Sequence, residues 1–358
     1  MRNVVNWYLR HRREMPWRDT RDPYLVWISE ILLQQTQVET VRPYFFRFVR
    51  AFPTLQALAS AAVDDVLKAW EGCGYYARAR HLHRAAQIVM REHGGKLPRT
   101  AAELRTLPGI GPYTAAAIAS IVFDESVLAL DGNIERVLAR VLCERRNVKI
   151  TAVRKRLARV GRAIMQDAVS AGILPGNLNQ ALMDLGALVC TPRHAQCAIC
   201  ALKASCRAFH TLKDVTVLPK RAPARALPHY DIGAAIIRQR GRLLIAQRPL
   251  EGMLGGLWEF PGGKRLRGET LPQCVAREIR EELGIEIEVG KRVARVEHSY
   301  SHFRITLHAF DCTPKTGRVR KIGVADFRWV KPEELAQFAF PKADRVIIEG
   351  LMGNPQTT

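Results

Sequence analysis

Apolar positions in the first 210 residues recur with helical spacing. Asp22-Pro23 pairs a favoured N-cap with a favoured first-turn residue just before the apolar run YLVWISEILL, which predicts a helix opening at Pro23. The runs LQALASAAVDDVLKAW, AAQIVMREH, AAAIASIVF and IERVLARVL keep the same period and carry little strand character. Texture changes over residues 211–229, where three prolines and several basic residues predict a linker. Beyond it, DIGAAIIRQRGRLLIAQR places short β-branched segments around an Arg-Gly turn, and a mixed strand and helix pattern follows to about residue 350. The expected organisation is an all-α domain over residues 1–210, the linker, and a smaller α+β domain over residues 230–352. No internal repeat or low-complexity tract is visible.

Composition narrows this picture. A chain of 358 residues is too long for one ordinary core, and 47% hydrophobic with 25% charged residues is a globular balance. No run of about 18 apolar residues occurs, so no membrane span is expected. The N-terminal stretch MRNVVNWYLRHRREMPW reads as a helix and not as a signal peptide, which makes a cytoplasmic protein the expectation. Fifty-five Lys and Arg stand against 34 Asp and Glu, a net charge of +21. That excess points to a polyanion partner through counterion release, without distinguishing DNA, RNA and anionic lipid.

Eight cysteines in such a chain argue against a disulfide framework. Cys73, Cys143, Cys274 and Cys312 are scattered, whereas Cys190, Cys197, Cys200 and Cys206 fall in one C-x6-C-x2-C-x5-C run. Four thiolates this close can converge on a metal centre. Zinc favours two separated CxxC pairs, and a single compact run suits an iron–sulfur cluster better. Arg193, Lys203 and Arg207 interleave positive charge for a phosphate.

Two further segments carry candidate chemistry. In LPGIGPYTAAA, residues 107–117, Gly109 and Gly111 permit a tight turn between helices whose exposed N–H groups suit a phosphate. Asp131 in LDGN opens the helix IERVLARVL, where a simple N-cap is the competing reading. Upstream, Glu30, Gln34 and Gln37 recur at i, i+4 and i+7 as a polar stripe on an apolar helix, ordinarily a solvated face.

Taken in order, the hairpin LPGIGPYTAA, the LDGN aspartate and the four-cysteine run resemble the iron–sulfur helix-hairpin-helix DNA glycosylases over the first 210 residues. The resemblance implies a six-helix barrel module plus a cluster module that binds [4Fe-4S] through Cys190, Cys197, Cys200 and Cys206. Two branches compete. Tyr113, eighteen residues before Asp131, stands where the endonuclease III pattern has a nucleophilic lysine, and a tyrosine there cannot form a Schiff base. The strings PWRDTRDPY, SEILLQQTQV and EGCGYYARAR are similar to the adenine-specific MutY family instead, with Cys73 departing from that pattern's leucine.

That branch implies a monofunctional, monomeric base excision repair enzyme acting on double-stranded DNA containing A:8-oxoguanine or A:G mispairs, with a bacterial, nucleoid-associated location. Glu30 would protonate adenine at N7, kept protonated by its neighbours Ile28, Ile31 and Leu32. Asp131 would stay ionised to stabilise the oxocarbenium-like sugar, with Tyr113 and Asn133 positioning it. Gln35 and Tyr75 would wedge into the duplex, and Arg18, Thr36, Gly109 and Gly111 would complete the DNA contacts.

Residues 263–285, GKRLRGETLPQCVAREIREELGI, fit the Nudix signature at every specified position. The resemblance implies a Nudix-like domain that recognises 8-oxoguanine, with Ser301 and His302 as hydrogen-bonding residues of a Tyr-Ser-His loop where the family has Phe-Ser-His. Family members typically lose the metal-binding glutamates, but this chain keeps Glu278, Glu281 and Glu282 beside Glu269. Either the acidic helix is a relic, or it binds Mg²⁺ and hydrolyses a nucleotide such as 8-oxo-dGTP.

Overall fold

A computed structural model describes residues 1–220 and 226–353. Residues 221–225 of the expected linker lie outside the described residues. The chain divides into two compact units, Met1–Ser60 with Arg84–Ala224 and Ala61–His83 with Arg225–Thr358. The second grouping departs from a boundary near residue 210, because a helical segment from the first hundred residues packs with the C-terminal part.

The first unit is helical. Asp22 Oδ1 accepts hydrogen bonds from the N–H groups of Tyr24 (2.8 Å) and Leu25 (3.1 Å), so the expected N-cap forms and Pro23–Leu32 follows it. The helix ends at Leu32, which puts Gln34 in the next turn and makes Gln37 the N-cap of Val38–Ala51. The expected stripe of Glu30, Gln34 and Gln37 is therefore not one helix face. Further helices include Pro112–Phe123, Gly132–Val141, Thr151–Ser170 and Pro175–Asp184. Their apolar faces bury Ile134, Leu138, Leu157, Met165, Leu178 and Leu182 in one core with Val4 and Tyr8. Gly109 has φ +77° in the turn before Pro112–Phe123, a conformation that a Cβ disfavours. No described helix is long and apolar enough to cross a membrane.

The second unit is built on a sheet of β1 His229–Gln239, β2 Arg242–Gln247, β3 Trp258–Glu259, β4 Gly262–Lys264, β5 Glu286–Ser299, β6 Arg304–Thr316 and β7 Asp326–Val330. The main path runs β3-β2-β1-β6-β5, with β4 paired to β1 and β7 to β2. β1 and β2 form the expected hairpin, with Arg240 (φ +48°) and Gly241 (φ +73°) as its two turn residues. Along β1, side chains alternate between two buried faces. Ala234 and Ile236 join Trp258, Phe260, Phe340 and Ile347, whereas Ala235 and Ile237 join Val275, Ile279 and Leu283 of helix Leu271–Leu283.

Helix Val63–Trp70 belongs to this unit through specific bonds. Lys68 Nζ donates to the Phe338 carbonyl at 2.9 Å, and Glu71 accepts from Phe340 N at 3.0 Å. Gln247 donates to Asp64 at 2.9 Å, and Arg80 donates to the Gly255 carbonyl at 2.6 Å.

Candidate active site

Within the first unit, Pro23–Leu32, Pro112–Phe123 and the start of Gly132–Val141 wall a pocket of about 420 Å³ that exposes Glu30, Tyr113, Asp131 and Asn133. Glu30 is only 5% exposed, so it is no solvated helix face. Its Oε2 accepts a 2.8 Å hydrogen bond from the Tyr113 hydroxyl. Burial pushes the Glu30 carboxyl up to about 7; the Tyr113 bond and the nearby Arg18 charge pull against that rise, and Asp131 adds to it. Near neutral pH the group thus exchanges between acid and carboxylate, the poise of a general acid. The same burial raises Tyr113 well above its ordinary value, so its hydroxyl remains a donor.

Asp131 has two structural attachments. Oδ1 accepts the Ile134 N–H at 2.7 Å, the N-cap bond anticipated as the plain reading. Oδ2 accepts from Asn133 Nδ2 at 2.8 Å. Burial raises its carboxyl, while those bonds and Arg136 oppose the rise. Asn133 thus bonds Asp131, whereas the Tyr113 hydroxyl bonds to Glu30, a partner the sequence spacing to Asp131 concealed.

Arg18 was expected among the DNA contacts. Instead its side chain, 6% exposed, donates to Asp184 Oδ2 (2.9 Å) and to the Tyr8 hydroxyl (3.1 Å). Asp184 is fully buried and also pairs with Arg13 at 2.6 Å. Arg18 thus lines the pocket as a fixed charge acting on Glu30, and Thr36 lines the same pocket. Gln35 is exposed with φ +59°, and Tyr75, in the second unit, is 40% exposed with φ +49°. Both sit in tight left-handed turns that project side chains outward. Gly111 caps Pro112–Phe123 with φ −80°, and a Cβ there would meet nothing within 4 Å. Local strain does not demand glycine at that position.

Two residues escaped the sequence reading. Arg136 is buried and donates to Asn133 Oδ1 (2.8 Å), the Gly186 carbonyl (2.6 Å) and the Cys190 carbonyl (2.7 Å). One guanidinium therefore ties the Asp131–Asn133 pair to the first cysteine. The π-helical turn Leu185–Val189 lies close against Asn133, and a Cβ on Gly186 would come within 2.7 Å of the Asn133 Cβ. Arg140 donates to Cys190 Sγ (3.3 Å) and to the carbonyls of Thr191 (2.8 Å) and Leu218 (2.9 Å). The available signal was an i, i+4 arginine pair inside an otherwise apolar helix, where unpaired charge is costly.

Cys190, Cys197, Cys200 and Cys206 line one small cavity with Arg140 and Lys203. Burial raises the thiols of Cys197, Cys200 and Cys206, and the neighbouring cysteines add to the rise. Four thiolates here call for a positively charged centre. Among the described residues no three His, Cys, Asp or Glu side chains converge on one ion position. Four cysteine sulfurs in one cavity are the donor set of a thiolate-ligated metal centre, and their single compact run suits an iron–sulfur cluster.

In the second unit, Arg277 fills the acidic face of Leu271–Leu283. It donates to Glu269 (2.8 Å), Glu278 (2.9 Å) and Glu281 (3.0 Å), offsetting part of their negative charge. The Glu278, Glu281 and Glu282 carboxylates do not converge on one ion position. Ser301 and His302 are exposed in the β5–β6 loop, which the Tyr300 N–H closes onto the Phe303 carbonyl at 2.8 Å.

Two family models match the chain: the HhH-GPD superfamily base excision DNA repair protein over residues 28–162, and the NUDIX domain over residues 233–350. The adenine DNA glycosylase of Mus musculus is 34% identical over 364 residues, spanning 86% of this chain and 69% of the relative. That of Homo sapiens is 31% identical over 411 residues, spanning 99% and 74%. The solved structure of a thermostable thymine-DNA glycosylase aligns with TM-score 0.50 and 26% identity, covering 59% of this chain and 95% of that one.

Proposed function

The chain belongs to the adenine DNA glycosylase family, and on that premise we propose that it removes adenine paired with 8-oxoguanine or guanine by hydrolysis, with Glu30 and Asp131 as its catalytic carboxyls. It is a DNA N-glycosylase whose substrate is DNA. The observation that carries the mechanism is the 2.8 Å Tyr113–Glu30 bond in a pocket that also holds Asp131.

Cleavage of the N-glycosidic bond leaves negative charge on the base and positive charge on the sugar. Glu30, poised near neutrality by burial, donates its proton to adenine N7, so the base departs neutral. Asp131, held by Ile134 N and Asn133, supplies the carboxylate facing the cationic sugar, and water completes the hydrolysis. The base must first leave the stack, at a cost of a few kcal/mol that is lower at a mismatch. Exposed Gln35 and Tyr75 are suited to wedge beside it, and the open space at Gly111 leaves room for a phosphate on the helix N-terminus with Gly109 shaping the turn. Ser301 and His302 would contact the opposite base.

Cys190, Cys197, Cys200 and Cys206 would hold a [4Fe-4S] cluster, with Arg140 donating to the Cys190 sulfur. The cluster would cross-link the loop through its four sulfur ligands. Residues 1–210 would then serve glycosylase chemistry and 230–352 lesion reading, in a monomer working on the chromosome, in bacterial terms at the nucleoid.

Two other readings are less favoured. Endonuclease III-like lyase chemistry needs an amine where Tyr113 stands, and the relatives matched over most of the chain are adenine glycosylases. Nucleotide hydrolysis with Mg²⁺ lacks support where Arg277 already engages Glu278 and Glu281.

The test is a single-turnover glycosylase assay on A:8-oxoguanine, A:G and A:T duplexes. The reading expects alkali-labile sites on the adenine strand of the first two and little on the third. Equal cleavage of A:T, or strand breaks without alkali, would overturn it.

A further inference from the structure

Helix Thr151–Ser170, 20 residues long, has two sides of different chemistry. Val153, Leu157, Gly161, Met165 and Ala168 form its buried side, packed against Gly132–Val141 and Pro175–Asp184. At about 3.6 residues per turn, Lys155, Arg159 and Arg162 fall on the opposite side, and all three are exposed.

The other arginines of the helix's first two turns are neutralised. Arg154 pairs with Glu135 at 3.2 Å, and Arg156 pairs with Glu144 at 2.7 Å. Both glutamates are buried, and they also engage Lys149 and Arg146. The outward three have no such partner: among the described residues, none of them forms an ion pair. Three and four positions away along the helix they meet one another, Arg156 or uncharged residues. Lys155 and Arg159 (i, i+4) and Arg159 and Arg162 (i, i+3) therefore place like charges side by side, an arrangement that destabilises a helix. Solubility calls for interspersed charges of both signs, and this face carries one sign only.

The row also has a length. At about 1.5 Å rise per residue, Lys155 to Arg162 spans about 10 Å. One strand of duplex DNA carries about three or four phosphates over that distance. Exposed Ala152 and Ala163 are the small neighbours of the row, which leaves the cations free to reach a rod-shaped polyanion. Among the described residues that line the glycosylase pocket, none belongs to this helix.

On the premise that DNA is the substrate, we propose that Lys155, Arg159 and Arg162 dock the phosphate backbone of a second duplex segment, distinct from the segment whose base enters the catalytic pocket. Charge complementarity selects this occupant. A duplex offers an unbroken row of negative charge to match the unbroken row of cations, and the net charge of +21 draws it in over long range. Phosphate contacts carry no sequence information, so the docked segment needs no lesion.

The experiment follows a labelled, long, undamaged duplex binding to the full chain by fluorescence anisotropy over a salt series. It is run on free protein and on protein loaded with one equivalent of a short, unlabelled A:8-oxoguanine duplex. Loaded wild type is expected to bind the long duplex, more weakly as salt rises. The triple variant Lys155→Gln/Arg159→Gln/Arg162→Gln, loaded in the same way, is expected to bind it at least about tenfold more weakly. Its slope of log affinity against log salt is expected to be smaller by about 2 to 3. Thermal melting checks the fold, which loses only exposed like charges and is expected to be as stable as the wild type. Lys315→Gln/Arg318→Gln/Lys321→Gln removes the same net charge from exposed positions of the second unit and is expected to keep most of the binding. The first triple variant is expected to act on the short duplex at the wild-type rate. Failure of every protein to cleave that duplex would count against the proposed function and leave the second-duplex measurement readable, since loading requires binding only. Loaded wild type that no longer binds the long duplex overturns the proposal. So does a first triple variant that binds as the wild type does, or an equal loss in both triple variants. Polyglutamate bound by the wild type as tightly as the duplex, and lost in the first triple variant, would assign the face to an acidic peptide and overturn it too.

Discussion

The Tyr113 hydroxyl donates a 2.8 Å hydrogen bond to Glu30 Oε2, so the residue standing in place of a lysine nucleophile holds the proposed proton donor. That bond favours the ionised form of Glu30 and restrains a rise driven by burial. Tyr113→Phe should raise the Glu30 pKa further. The alkaline limb of the single-turnover rate profile is then expected to move up by about one pH unit, with the plateau rate changed modestly. An unmoved limb would detach Tyr113 from the acid.

Glu30→Gln removes the acid and should lower the rate by about 10²- to 10⁴-fold. The same substitution should stabilise the fold at alkaline pH. The folded pKa of about 7 lies above an unfolded value near 4.3, so folding favours the protonated form. Stability is whole below about pH 4 and declines as pH rises through 7, by an amount on the order of 3 kcal/mol. Melting curves should therefore show Glu30→Gln gaining more over wild type at pH 8 than at pH 5. An equal gain at both would refute buried ionisation at this position.

Asp184 is fully buried between Arg13 and Arg18. Asp184→Asn leaves two guanidinium groups without their counter-charge and should cost about 3–5 kcal/mol. Chemical denaturation measures that loss. With Arg18 released, Glu30 should also titrate differently, which a shifted pH–rate profile would reveal. A variant with wild-type stability would show that water compensates the arginines.

Cluster ligation predicts iron and acid-labile sulfide in equal amounts in the purified protein. Cys200→Ala should lower both. Arg140→Leu should lower them less, because it removes a donor to the Cys190 sulfur and not a ligand. Stoichiometric zinc without sulfide would reverse the assignment.

Periodicity anticipated Pro23–Leu32, Pro112–Phe123, Gly132–Val141 and the β1–β2 hairpin, since helix spacing and a turn dipeptide are local signals, but the run LQALASAAVDDVLKAW breaks into two helices, Leu55–Ser60 and Val63–Trp70. It could not reveal that Pro23–Leu32 ends at Leu32, because the polar residues beyond continue the same spacing. Motif order pointed to Glu30, Asp131 and the cysteines, and the structure gathers the two carboxyls in one pocket and the cysteines in another. Their connections were not legible: Arg136 and Asp184 act across about 50 and more than 160 residues, through contacts no local pattern encodes.

Helix Val63–Trp70 carries a practical consequence for anyone dividing this protein. A fragment ending at residue 210 would include that helix but not the carbonyl of Phe338, the N–H of Phe340 or the Gln247 amide that it bonds. Lys68, Glu71 and Asp64 would lose those bonds to the C-terminal part. The two units are interlaced along the chain, so neither can be excised with a single cut.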